Sequence, residues 1–159
     1  MVETVMADLS NRDHQTALVE MLNLYALDPM GGGEDLSDYA KSNLASALRE
    51  RQNVYVLLAF VNKKAVGLLI CMEGFSTFAC KPLMNIHDFV VVPEHRGQGI
   101  SNMLLEAVEK IAKEKECCKL TLEVLEGNEV ARAGYSAFGF KGYELDPRMG
   151  KALFLEKKL

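Results

Sequence analysis

At 159 residues, with 49% hydrophobic and 25% charged residues, the chain has the size and balance of one globular domain able to bury a full core. No run approaches the ~20 apolar residues of a membrane span, and the opening MVETVMADLS lacks the basic and apolar regions of a secretory leader, so a cytoplasmic protein without membrane partners is expected. A net charge of −4, with no basic run interleaved with aromatics, argues against nucleic acid as the main partner and is compatible with a cationic small substrate.

Taken in chain order, Leu18, Met21, Leu22 and Tyr25 recur at helical spacing and predict a helix over residues 13–25. Asp28-Pro29-Met30-Gly31-Gly32-Gly33 ends it, because proline removes a donor and the glycines leave the backbone free. That run reads as a mobile lid or as a flexible connection. A second helix is expected over 36–51, with Leu36, Ala40, Leu44 and Leu48 on one face. Apolar, β-branched runs at 54–61 and 65–72 flank the turn Asn62-Lys63-Lys64 and predict a hairpin. Residues 73–81 read as a loop or bulged connection, and 83–92 as a third strand ended by Pro93.

The strongest periodicity lies at 99–116, where Ile100, Met103, Leu104, Ala107, Val108, Ile111 and Ala112 form one apolar stripe. Glu106 with Lys110, and Glu109 with Lys113, add i,i+4 pairs on its outer side. A strand follows over 119–125 with Leu120, Leu122 and Val124 facing inward, then a short helix over 128–138 closed by Gly139. Two further strands are expected around 140–144 and 152–157. With no repeat or linker, residues 1–159 are expected to form one mixed α/β domain around a single sheet. Cys71, Cys80, Cys117 and Cys118 contain no C-x-x-C pair and read as reduced, packed thiols. His14, His87 and His95 are scattered, so no metal site is expected.

The segment Val90-Val91-Val92-Pro93-Glu94-His95-Arg96-Gly97-Gln98-Gly99-Ile100-Ser101 is a strand, a two-glycine turn and the start of the long helix. Backbone N–H groups at a helix N-terminus lack partners and sit at the positive end of its dipole. Glycines let them approach an anion, and Arg96 adds a positive charge beside it. A nucleoside-triphosphate loop needs a lysine after its last glycine, which is absent here. A dinucleotide fingerprint needs a third glycine where Asn102 stands. The pattern that remains is Arg96-x-x-Gly99-x-Ser101.

From about residue 57 to 140 the chain resembles the GCN5-related N-acetyltransferase (GNAT) superfamily. The resemblance rests on the strand Asp88–Pro93 running into Arg96-x-x-Gly99-x-Ser101, on the strand end Leu125-Glu126-Gly127-Asn128, and on Asn128-x-x-Ala131-x-x-x-Tyr135-x-x-x-Gly139-Phe140. It implies a mixed, largely antiparallel sheet with a splayed strand pair and helices on both faces, acting on acetyl-CoA and an amine. It also implies that the backbone of Phe89, Val90 and Val91 receives the pantetheine arm, that Arg96, Gly97, Gln98, Gly99, Ile100 and Ser101 wrap the pyrophosphate, and that Asn128 and Ala131 touch the pantetheine from the other side. Ser101 departs from the family's glycine or alanine, with a hydroxyl able to bond a phosphate oxygen.

The implied reaction is direct acetyl transfer to an amine, with no acyl-enzyme. Tyr135 matches the family's tyrosine near the thioester sulfur, where a neutral phenol can donate a proton to the leaving thiolate. His87 and Asp88 precede the cofactor strand and are the candidate bases, alongside relays of water. Adjacent strand residues face opposite sides, so only one of the two is expected in the cleft. The same region resembles the spermidine/spermine-type acetyltransferases, but His87 replaces the first member of their Glu-Asp pair, which puts a polyamine substrate in doubt. A backbone amide of Val90 or Val91 is the candidate oxyanion donor. The acceptor amine is expected to meet the loop 31–35, the helix after it, residues 75–81 and the tail near 147–150, with Glu34, Asp35 and Glu73 as candidate anions. The rival readings are a non-catalytic CoA-binding module, an enzyme acting on a peptide amine, and one using another acyl group. The apolar tail Ala152-Leu153-Phe154-Leu155 allows a homodimer.

Overall fold

A computed structural model of the chain describes residues 1–143 and 146–159. They form two compact units, Met1–Leu125 and Glu126–Leu159. The first contains β1 (Val2–Met6), α1 (Arg12–Leu27), α2 (Asp38–Arg49), β2 (Val54–Val61), β3 (Lys64–Ser76), β4 (Lys81–Val91), α3 (Ile100–Glu114) and β5 (Leu120–Leu122). The second contains α4 (Glu129–Phe138) and a single 3-10 turn, Pro147–Met149. No helix among the described residues is long and apolar enough to cross a membrane.

The five strands follow one another in chain order across a single sheet. Strands β1 to β4 are antiparallel, and β5 joins β4 in parallel. A parallel neighbour requires a crossover, which α3 provides. Alternation along the strands builds the two faces. Val56, Leu58, Leu68, Ile70 and Val90 bury against Ala17, Leu18 and Met21 of α1 and Leu48 of α2. Ala59, Gly67 and Val91 lie in register on the other face. There α3 approaches so closely that a Cβ on Gly67 would come within 3.0 Å of Leu104 and 3.3 Å of Ile100. Helices thus cover both faces of a largely antiparallel sheet, as expected.

Several boundaries differ from the sequence reading, each for a physical reason. Strand β1 was not anticipated, because Glu3 and Thr4 interrupt its apolar pattern; at the sheet edge it finds its stabilisation by pairing, with Val5 opposite Leu58 and Met6 opposite Leu57. The expected loop over 73–81 is instead the far end of a long hairpin. There β3 continues to Ser76, with Gly74 opposite Leu83 and Phe75 opposite Pro82. Proline is tolerated because it stands at the second residue of β4, near the strand end. Strand β5 is three residues long, and Val124 beyond it is 38% exposed rather than turned inward. On α3, Lys113 pairs with Glu109 at 2.9 Å, whereas Lys110 lies 4.0 Å from Glu114.

In the second unit, the Asn128 side chain accepts from the Ala131 N–H and caps α4, and Gly139 closes the helix with φ of 110°. No strand is present among the described residues after α4. Of the first expected tail strand, Glu144 lies outside the described residues. In the second, Leu153, Phe154 and Leu155 are exposed, and no strand forms there among the described residues.

Candidate active site

The geometry of interest lies where β4 leaves β5. Parallel pairing joins Met84, Asn85 and Ile86 to Leu120, Thr121 and Leu122 and ends there, whereas β4 itself runs on to Val91. At the same level the ladder with β3 shifts: Cys71 pairs with Ile86 but Ile70 pairs with Asp88. His87 is therefore the extra residue of a bulge, which bends a strand and increases its twist. The expected splayed strand pair is present, and the bulge marks its opening.

The bulge separates the two candidate bases. His87 is exposed. Asp88 shares the α1 side of the sheet with Ile70 and is half-buried. Burial pushes the Asp88 carboxyl above its ordinary range, and the nearby His87 offsets part of that rise. Tyr25, near the end of α1, faces the same region. Its phenol is raised by burial first, then by the charges of Asp88 and Asp28.

Beyond Val91 the chain makes a one-turn 3-10 helix, Pro93–His95, and enters the glycine turn. Gly97 has φ of 73° and Gly99 φ of 80°. That left-handed backbone is disfavoured for residues with a Cβ. A Cβ at either glycine would meet nothing within 4 Å, so backbone conformation rather than crowding calls for glycine. Gly99 is also the N-cap of α3, and no side chain bonds to the helix's first turn. The other α-helices among the described residues are all capped: Asn11 accepts from Asp13 and His14, Ser37 from Ala40, and Asn128 from Ala131. The first amides of α3 thus keep their positive ends without a side-chain acceptor, at a turn whose surface is exposed. Ile100 anchors that turn in the core at 1% exposure, while Ser101 is exposed beside it. Gln98 is tied back through its amide to the Glu94 carbonyl at 3.1 Å.

Arg96 does not simply point outward. Its Nε donates to the Val91 carbonyl at 3.0 Å, and one terminal nitrogen lies 3.6 Å from an Asp28 carboxylate oxygen. The loop after α1 is ordered by the same aspartate. Asp28 accepts from the Met30 N–H at 2.9 Å and caps the short 3-10 turn Pro29–Gly31, and Gly33 returns to the Ala26 carbonyl at 2.9 Å. Asp28 and Tyr25 were missed by the sequence reading, since no spacing signals that residue 28 meets residue 96.

Two of the expected acceptor-side anions are engaged elsewhere. Asp35 pairs with Lys41, and Glu73 pairs with Lys115 at 3.1 Å and accepts from the Tyr55 hydroxyl at 3.2 Å. The tip of the β3–β4 hairpin lies roughly 20 Å along β4 from Asp88, at ~3.3 Å per residue.

Asn128, Ala131 and Tyr135 belong to the second unit. The Asn128 oxygen is committed to the Ala131 N–H at 3.2 Å. Tyr135 is half-buried with its ring edge-on to Phe140, 5.9 Å between centroids.

Comparison with known proteins agrees with this architecture. The pattern of the Acetyltransferase (GNAT) family matches residues 18–140. A thialysine N-epsilon-acetyltransferase of Bos taurus is 41% identical over 74 residues, 46% of this chain and 43% of that protein. The streptothricin acetyltransferase of Streptomyces lavendulae is 31% identical over 118 residues, 74% of this chain and 57% of that protein. The chain thus spans about half the length of these curated relatives. Among solved structures, AAC(6')-Iy in complex with the bisubstrate analogue CoA-S-monomethyl-acetylneamine shares the fold, with a TM-score of 0.78, 16% identity, and coverage of 100% of this chain and 99% of the other. With a family match over most of its length and a sheet that opens at β4, the chain belongs to the acetyltransferase (GNAT) family.

Proposed function

We propose that the chain is an acetyl-CoA-dependent N-acetyltransferase that moves acetyl directly to an amine of a small molecule or amino acid. The observation that carries this reading is the first turn of α3, uncapped by any side chain and preceded by two left-handed glycines. A pyrophosphate fits such a turn, because amides and helix dipole point at one open spot with Arg96 alongside. Phe89, Val90 and Val91, on the part of β4 past β5, offer backbone groups to a pantetheine arm. Ala131 and Asn128 are assigned to its other side, with the Asn128 amide nitrogen as the group available, since its oxygen caps α4.

Bound acetyl-CoA supplies an activated acyl thioester. The protein's part is to manage protons and charge. An aliphatic ammonium titrates near ~10.4 and must lose its proton before it can attack. Asp88, with its carboxyl raised by burial, is the acceptor this reading favours, directly or through water. His87, exposed on the bulge, is the weaker candidate. An amide of Val90 or Val91 is assigned to the thioester oxygen, and the Tyr135 phenol to the departing sulfur. A small-molecule acceptor is supported by relatives named for thialysine and streptothricin. The alternative of a peptide amine differs only in the acceptor and is read by the same assay.

The test is calorimetric titration with acetyl-CoA, CoA, ATP and NAD, repeated on Gly99→Glu, followed by an amine screen. Saturable binding of the CoA species alone, abolished in the variant, is expected. Failure of the folded wild type to bind acetyl-CoA sinks the reading. Binding without turnover of any amine would favour a CoA-binding module instead.

A further inference from the structure

We propose that Asp28 is a positioning residue that couples the loop after α1 to the cofactor turn. It holds Arg96 when the pyrophosphate site is empty and releases it when a polyphosphate binds. The inference rests on the reading of residues 96–101 as the pyrophosphate site.

One carboxylate does two jobs in the structure. Through one oxygen Asp28 accepts from the Met30 N–H and caps the turn Pro29–Gly31. Its other oxygen lies 3.6 Å from Arg96. The turn is packed as well as capped, since a Cβ on Gly31 would fall 1.9 Å from the Tyr25 carbonyl oxygen. Arg96 in turn is anchored to the end of β4 through the Val91 carbonyl. A continuous path of contacts therefore joins the acceptor-side turn, an ion pair, and the strand and turn that flank the cofactor.

The strengths of these contacts decide how the path behaves. The Asp28–Arg96 pair is long and about half exposed on the arginine side, 53% against 32% for Asp28; exposed pairs of this kind are worth at most about fivefold in an equilibrium. A pyrophosphate carries more charge and accepts a guanidinium through two oxygens at once. It therefore takes Arg96 from a lone carboxylate rather than the reverse. Once Arg96 turns to the phosphate, Asp28 keeps its cap but loses its counter-ion, close to Tyr25, on whose phenol the charges of both Asp88 and Asp28 act. An uncompensated carboxylate there favours a cationic amine. The device makes the acceptor side more receptive after the cofactor has bound.

A double-mutant cycle on CoA affinity tests this, with CoA itself as the titrant at low salt. Asp28→Asn retains the oxygen that caps Met30 and removes only the charge. It is expected to tighten CoA binding two- to fivefold in the Arg96 background, and by less than about 1.5-fold in Arg96→Gln. If the glutamine variant binds too weakly for direct titration, its affinity is read by competition at higher protein concentration, in the same neutral background. In parallel, hydrogen exchange of the amides at 30–34 is expected to speed up on CoA saturation in the wild type and to be indifferent to it in Arg96→Gln. Equal effects of Asp28→Asn in both backgrounds, no effect in either, or loop exchange blind to CoA would overturn the coupling while leaving the cofactor site intact. Absence of CoA binding to the wild type would instead bring down the cofactor reading and the coupling with it.

Discussion

The Asp88 carboxyl is held above its ordinary range because burial penalises the charged form more than His87 stabilises it. The consequence for stability has a definite sign. In the unfolded chain the group ionises at its ordinary value, so its favourable contribution is present below that pH and is lost as pH rises through the raised native value. Asp88→Asn is therefore expected to match the wild type in thermal stability near pH 4 and to exceed it at pH 7. The same substitution is expected to lower kcat by about 10²–10⁴-fold, with CoA affinity nearly unchanged. His87→Gln is expected to leave kcat within about threefold, because an exposed side chain on a bulge is the weaker candidate. A wild-type rate in Asp88→Asn would remove Asp88 from the mechanism. Both residues were legible in the sequence as candidates, but choosing between them needed the bulge, since simple alternation cannot say where an extra residue enters a strand.

At the level of elements, the contact between β3 and α3 connects packing to the candidate site. Gly67 lets α3 lie against the sheet, with Leu104 and Ile100 over it, and Ile100 opens the helix whose first turn faces the proposed pyrophosphate. Gly67→Val is expected to cost about 1–3 kcal/mol by overpacking and to weaken CoA binding by shifting that turn. Leu104→Ala, at 0% exposure, is expected to cost about 2–5 kcal/mol. Denaturant unfolding measures both costs, and calorimetry with CoA shows whether the Gly67 variant binds more weakly. Helix α3 was readable because its apolar stripe repeats over four turns. Strand β1 was not, since five residues at an edge need little periodicity and are held by pairing with β2. The hairpin end beyond Met72 was also missed, because Gly74 and Pro82 signal a loop locally while the long ladder between β3 and β4 overrides them.

Across the molecule, burial sorts the thiols. All four cysteines are free, Cys80 and Cys118 are exposed and Cys71 is buried, with the Cys71 thiol pushed up to about 12 by desolvation. Native labelling with a thiol reagent is expected to modify Cys80 and Cys118 first, the partly buried Cys117 more slowly, and Cys71 only on unfolding; peptide mass analysis identifies the order. Rapid modification of Cys71 in the native state would contradict the packing of β3. The exposed Cys80 and Cys118 also correct the expectation that the thiols are generally packed.

Local chemistry carried much of the outcome. The strand–glycine–helix pattern, the apolar stripe of α3 and the Asn128–Gly139 helix boundaries each depend on residues close together in sequence, where hydrogen bonding, backbone conformation and periodicity act directly. Those determined the family resemblance, the fold class and the glycine turn proposed to bind the anion. What only the tertiary structure decided were the relations between distant residues: the bulge that turns Asp88 to the α1 side, the pairing of Glu73 with Lys115, and the meeting of Asp28 with Arg96. Such contacts are set by how helices and strands pack, and a charge carries no mark in the sequence of the partner that packing will bring to it.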